Sequence, residues 1–244
     1  MRYAYTAAPL AFALHAAAYS TDSWTFGYGF WMGPPASGQI TKATYSIAAP
    51  SVPQNATVKD SSDEVWTSIW IGVSATESGD TDSLYQPLFN WSPDQESQGC
   101  SATAEEWCVA ASTYTSSGQV GQAYVPVTED AQVDFEIYVQ DNKVYQIVTM
   151  NGKVVSKQND ALTNPLQYLY ASDECYTGSG TCGTLPSYSW NNITITLSEA
   201  DQNFGGTLEM IGSMSSSGFS SSDGGKTWHA DAVVFPTDDF TADS

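Results

Sequence analysis

Apolar and polar residues alternate with a period of two over many short stretches of this chain, and no stretch sustains a helical period. In Val133-Asp-Phe-Glu-Ile-Tyr-Val-Gln, Val133, Phe135, Ile137 and Val139 share one face, and Asp134, Glu136, Tyr138 and Gln140 share the other. Asp141-Asn142 then reads as a tight turn, Lys143 to Met150 as the return strand, and Asn151-Gly152 as another hairpin turn. Asn192-Ile-Thr-Ile-Thr-Leu alternates too, and Ser68 to Val73 is a short apolar run. Leu208-Glu-Met-Ile and Ala232-Val-Val-Phe read as the last strands. Thr103-Ala-Glu-Glu-Trp-Cys is read as one helical turn, and the Ser/Gly-rich Met214 to Gly225 as a surface loop. Many short strands, no internal repeat and no dividing linker predict an all-β domain: a two-sheet antiparallel sandwich of jelly-roll type.

The first residues break this pattern. Arg2, the small apolar run Ala7 to Ala18 and the Ala16-Ala17-Ala18 triplet read as a secretory signal over residues 1–18, leaving 19–244 as a single domain. A secreted, extracellular protein is therefore expected. The net charge is −20, and no arginine occurs beyond Arg2. Such a surface repels nucleic acid and anionic membranes, so neither is an expected partner. It suits acid conditions, where protonation of carboxylates relieves self-repulsion. Cys100, Cys108, Cys175 and Cys182 permit three disulfide connectivities, of which the two local loops, Cys100–Cys108 and Cys175–Cys182, are the simplest. Asn55, Asn90 and Asn192 head N-x-S/T sequons and are candidate glycosylation sites.

Two residues, Gln86 and Glu174, stand in contexts that carry a family resemblance. Trp70-Ile-Gly-Val, a polar loop and Leu84-Tyr-Gln86-Pro resemble W-V-G-I-D-G followed by L-Q-T-G. Gln39 to Pro53 is similar to an opening strand that ends in V-P-S, and Ser172-Asp-Glu174-Cys-Tyr to A-E-[WC]-I-V-E. Leu185-Pro186 and Trp190-Asn-Asn-Ile-Thr-Ile-Thr follow in the order of L/V-P and F-G-T-V-T-F-T. These islands, between about residues 39 and 197, resemble the secreted fungal glutamic endopeptidases, the eqolisins. The resemblance implies a concanavalin A-like fold with a concave cleft and an acid peptidase acting on polypeptides. It implies Glu174 as general base and then acid, Gln86 as the donor to the oxyanion, and neither cofactor nor metal. The chain departs from the pattern at Pro87, where the family carries Thr, near Gly178, where the second glutamate is missing, and around Trp107, where W-Y-E-W-Y-P is not recognisable.

A second constellation points to sugars. Trp66, Trp70, Trp91 and Trp107 cluster in sequence around Gln86, and Trp70 and Trp91 are candidate platforms for substrate. Asp134 and Glu136 lie on one face of one strand and, with Glu174, could supply the acid and base of a glycosidase. The alternatives are thus a carbohydrate-active or carbohydrate-binding sandwich taking polysaccharide, and a non-catalytic secreted relative, in each case expected to be a monomer. Ser221-Ser-Asp223-Gly-Gly225-Lys-Thr-Trp228 resembles the Asp box of sialidases, but occurs once in a chain without the arginine cluster that chemistry requires, and reads as a structural turn. His229 is the one histidine beyond His15, which excludes multi-histidine metal sites.

Overall fold

The computed structural model describes residues 23–59, 64–77 and 82–240; the signal read over residues 1–18 lies outside them. Two large antiparallel sheets stack face to face. One follows the order Glu209–Ile211, Ser23–Met32, Tyr168–Thr177, Trp66–Ser74, Leu84–Tyr85, Ser112–Thr115 and Gly118–Gly121. Leu88–Trp91 continues it beside Trp66–Ser74, followed by Trp107–Ala110 and Val125–Val127. The other runs Lys153–Ala161, Lys143–Met150, Gln132–Gln140, Ile40–Ala48, Tyr188–Leu197, Thr227–Phe235 and Ser215–Ser216. A small ribbon pairs Thr184–Leu185 with Asp238–Asp239 near the end of the described chain.

The core lies between the sheets and follows the alternation. Val133, Phe135 and Ile137 are buried, while Asp134 and Glu136 face outward, as the period-two pattern predicts. Phe135 stacks on Tyr45, and Trp190 meets both rings edge-on. From the first sheet, Ile69, Ile71, Val73, Leu169, Ala171 and Phe89 complete the same core.

The expected strands are present, and several are longer than the sequence pattern indicated. Ala232–Phe235 is the end of Thr227–Phe235, and Asn192–Leu197 the end of Tyr188–Leu197. The helical turn expected at Thr103 is corrected: the segment is a turn, with the Glu106 carboxylate accepting from the Thr103 N–H and hydroxyl. A one-turn 3₁₀ helix occurs instead at Phe204–Thr207. The disulfides are the two local ones, Cys100–Cys108 and Cys175–Cys182. The Asp-box-like segment is a turn: Asp223 Oδ1 accepts from the backbone N–H of Lys226 and Thr227, and the Trp228 indole donates to the carbonyls of Asp201 and Gly225.

Candidate active site

The outer face of the first sheet carries the candidate site. Along Trp66–Ser74 the odd positions enter the core, so Trp66, Ser68, Trp70, Gly72 and Ser74 belong to the opposite face. Along Tyr168–Thr177 the same parity puts Tyr168, Tyr170, Ser172, Glu174 and Tyr176 on that face. Trp70, Leu84, Leu88 and Tyr170 form a second apolar cluster there, extended by Phe26, Trp31, Tyr114, Tyr124 and Tyr168. Trp24, Trp66 and Tyr176 make a further aromatic group, with ring centroids 4.2–5.2 Å apart.

Gln86 reaches this face through a break in its strand. Val73 pairs with Tyr85 and Trp70 with Leu88, so the unbroken register sets Gln86 across from Gly72 and Pro87 across from Ile71. Pro87 has no N–H to donate, and there the strand divides into Leu84–Tyr85 and Leu88–Trp91. The departure at Pro87 therefore interrupts the ladder without displacing Gln86, whose own N–H donates to the Ser112 carbonyl at 2.9 Å. Gly72 is required by close approach: a Cβ on it would lie 2.9 Å from the Gln86 Cβ and 2.9 Å from the Tyr85 carbonyl oxygen.

Gln86 and Glu174, 88 positions apart in sequence, line one pocket with Trp24, Trp70, Tyr114 and Gln119. Its volume is ≈ 20 Å³, room for about one water molecule. Both side chains are nearly buried, at 5% and 6% exposure. Burial pushes the Glu174 carboxyl up to about 8, against a smaller opposing pull from the Trp70 indole. That indole N–H has no partner at hydrogen-bond length, and neither has Gln86 Oε1. Gln86 Nε2 donates to Gln119 Oε1 at 3.4 Å, and Gln119 in turn donates to the Ser112 hydroxyl. Burial and the nearby Glu174 charge raise the Tyr124 phenol to about 12.

The remaining sequence candidates separate from this pocket. Trp70 belongs to it, but Trp91 does not: its pairing with Thr67 turns it into the main core, where its indole donates to the Ala104 carbonyl. The proximity of Trp91 to Gln86 in sequence is cancelled by strand parity. Asp134 and Glu136 also correct an expectation. They lie on the outer face of the other sheet, where Glu136 pairs with Lys42, and do not converge with Glu174. Asn55 and Asn192 are exposed, whereas Asn90 is 3% exposed and accepts from the Ser68 hydroxyl at 2.8 Å, so no glycan fits at Asn90 in this fold.

A larger depression of ≈ 880 Å³ is lined by Pro50, Pro53, Glu105, Glu106 and Glu129 and contains neither Gln86 nor Glu174. Its Glu106 carboxylate is held below the usual range by the Thr103 hydrogen bonds, the opposite of what a poised acid needs. Among the described residues, no three His, Cys, Asp or Glu side chains gather as a metal site would require, and no helix is long and apolar enough to cross a membrane. The aromatic face and Gln119 escaped the sequence reading. Tyr168, Tyr170 and Tyr176 alternate along one strand, a signal that periodicity alone could have exposed.

No protein-family model and no curated protein sequence matches the chain. Solved structures do. Scytalido-glutamic peptidase, crystallised with a transition-state analogue inhibitor, superposes with a TM-score of 0.50 at 12% identity, covering 86% of this chain and 98% of that one. The carbohydrate-binding module CBM66 from Bacillus subtilis aligns with a TM-score of 0.33 at 9% identity, over 63% of this chain and 91% of that one. A family 7 alginate lyase, A1-II', aligns with a TM-score of 0.31 at 15% identity, over 57% and 60%. At these identities the likeness concerns the fold, and the chain has a concanavalin A-like, jelly-roll sandwich.

Proposed function

We propose that this protein is a secreted acid peptidase whose reaction centre is Glu174 with Gln86. One observation carries the reading: Gln86 and the buried Glu174 carboxyl, from strands far apart in sequence, line one water-sized pocket with the Trp70 indole, and neither Gln86 Oε1 nor Trp70 Nε1 has a partner at hydrogen-bond length. Buried polar groups of this kind are complemented by water or ligand. The peptidase neighbour in fold and the two local disulfides fit the same reading, the latter because such bonds persist outside the reducing cytosol.

The raised pKa changes the order of events expected from the sequence. With its carboxyl titrating at about 8, Glu174 begins the reaction in acid as the protonated form. Water attacks the scissile carbonyl carbon and passes a proton to one oxygen of Glu174. The other oxygen releases its proton to the leaving amide nitrogen, the C–N bond breaks, and the carboxyl ends as neutral as it began. Gln86 Nε2–H donates to the developing oxyanion. An amide suits that role in acid because it stays neutral and keeps its donors.

A saccharide-binding cleft is the second reading, favoured by the half-buried Trp24, Trp66 and Trp31 on the same face. A two-carboxylate glycosidase is not favoured: Glu174 is the sole carboxyl among the residues lining the pocket. Incubation with an unfolded protein substrate in ¹⁸O-water separates the readings. Peptidase action yields new peptides with the label in their C-terminal carboxyls. An intact protein substrate, with retention on a polysaccharide column, would overturn the peptidase reading in favour of the saccharide one.

A further inference from the structure

The pocket beside Glu174 has room for about one water molecule, too little for a peptide bond, so one of its walls must give way to any larger ligand. Of the residues lining it, Trp70, Gln86 and Glu174 are buried, Trp24 and Tyr114 are half-buried, and Gln119 alone is exposed. Gln119 lies on Gly118–Gly121, the edge strand beside Ser112–Thr115. Its cross-strand partner is Tyr114, so the two share the outer face. Gln86 follows the Tyr85–Thr113 pair and meets Ser112 on that face. The Gln119 side chain therefore crosses Ser112 to reach Gln86. Ser112 is small, and its own cross-strand partner is Gly121, where a Cβ would lie 3.3 Å from the Ser112 hydroxyl oxygen.

The two ends of this contact are held differently. The Gln86 N–H donates to the Ser112 carbonyl at 2.9 Å. The Ser112 N–H donates at 3.3 Å to Oε1 of Gln146, a wholly buried residue of the other sheet. Gln146 Nε2 donates to the Thr113 hydroxyl at 2.8 Å, so the strand beside Gln86 is tied through the core. The Gln119 side chain is held by Gln86 Nε2 and the Ser112 hydroxyl, both reached from the surface. At 3.4 Å the contact with Gln86 is longer than the ordinary N–H···O range of about 2.7–3.2 Å. Rotation of this one side chain opens the pocket with no strand displaced. Gln119 Oε1 is an amide carbonyl oxygen, the same acceptor that a peptide bond presents. It rests on the Gln86 amide group that the proposed chemistry assigns to the oxyanion.

We propose that Gln119 is a displaceable cover whose carbonyl oxygen stands where the carbonyl oxygen of the scissile peptide binds. An incoming peptide takes the Gln86 N–H from it and turns the Gln119 side chain out to solvent. Gln119 is thus a built-in competitor that governs substrate affinity and takes no part in bond breaking. The assigned carbonyl position rests on the peptidase reading; the cover itself does not.

Gln119→Ala truncates an exposed edge residue and should leave the fold intact. Its kcat/KM on an unfolded protein in acid should rise about tenfold, the weight of one neutral hydrogen bond, through a lower KM. Carbon-13 titration of the Glu174 carboxyl reads the cover without any substrate. The wild-type carboxyl titrates at about 8 because it is buried. With the cover gone and water admitted, it should move by about one pH unit or more toward the ordinary glutamate value. A titration that does not move overturns the cover. Hydrolysis by the wild type with no rise in kcat/KM in the variant overturns the assigned carbonyl position and leaves the peptidase reading standing. A lowered titration with no hydrolysis by either protein supports the cover and removes the peptidase reading.

Discussion

Gln86 lies across from Gly72, and the glutamine occupies the space that a side chain at Gly72 would take. The glycine of the Trp-Ile-Gly-Val run thus sets how closely Gln86 can approach its neighbouring strand. Gly72→Ala should push Gln86 out of register with Glu174. Overpacking of this size costs about 1–3 kcal/mol, and turnover should fall by on the order of tenfold or more, as for a displaced oxyanion donor. Melting temperature and kcat measured on the same preparation check both parts.

On the proposed chemistry, Glu174 should link activity to stability. Its folded pKa of about 8 is raised from the usual glutamate value, so the stability held by its proton is complete in acid and is lost as pH rises through about 8. Glu174→Gln, with no proton to lose, should abolish turnover yet flatten the decline in stability by about 1.4 kcal/mol per pH unit. Activity of the wild type should hold while stability declines and then fall as pH passes about 8, because the leaving group then lacks its proton source. Denaturant midpoints and initial rates, taken across a common pH series, check the two parts.

The two tryptophans flanking Gln86 in sequence should behave differently. Trp91 fills the core, so Trp91→Ala should cost about 3–5 kcal/mol of stability. The surviving folded molecules should keep normal turnover. Trp70→Ala empties a buried position as well and should cost comparable stability, but it also removes the indole that acts on Glu174, so its folded molecules should show an altered pH dependence of turnover. A pH–rate profile for each variant, normalised to folded protein, distinguishes them.

Asp134→Asn/Glu136→Gln should leave peptide hydrolysis unchanged. Both residues lie on the outer face of the other sheet, and loss of the exposed Lys42–Glu136 pair should alter stability by less than about 1 kcal/mol. Activity assays and thermal melts on this double variant are sufficient.

The fold class was legible because alternation reports directly which face of a strand is buried, as in Val133 to Val139. The candidate site was legible in part. Gln86 and Glu174 line one pocket, the placement that the resemblance implied for the pair, and Trp70, read as a platform for sugar, lies beside them. Trp91, Asp134 and Glu136 misled for a physical reason: nearness in sequence does not reveal which face of which sheet a residue joins. Adjacent strand positions point to opposite faces, so Glu174 lines the cleft while Asp173 is sealed inside.

The central claim is that Gln86 and Glu174 act as one catalytic unit on peptide bonds. A double-mutant cycle on acid hydrolysis of an unfolded protein, with wild type, Gln86→Ala, Glu174→Gln and the combined variant, tests it most directly. Glu174→Gln should remove turnover, Gln86→Ala alone should cost about a hundredfold or more, and the combined variant should be no slower than Glu174→Gln. Wild-type turnover in Glu174→Gln, or no hydrolysis by the wild type at any acid pH, would contradict the account.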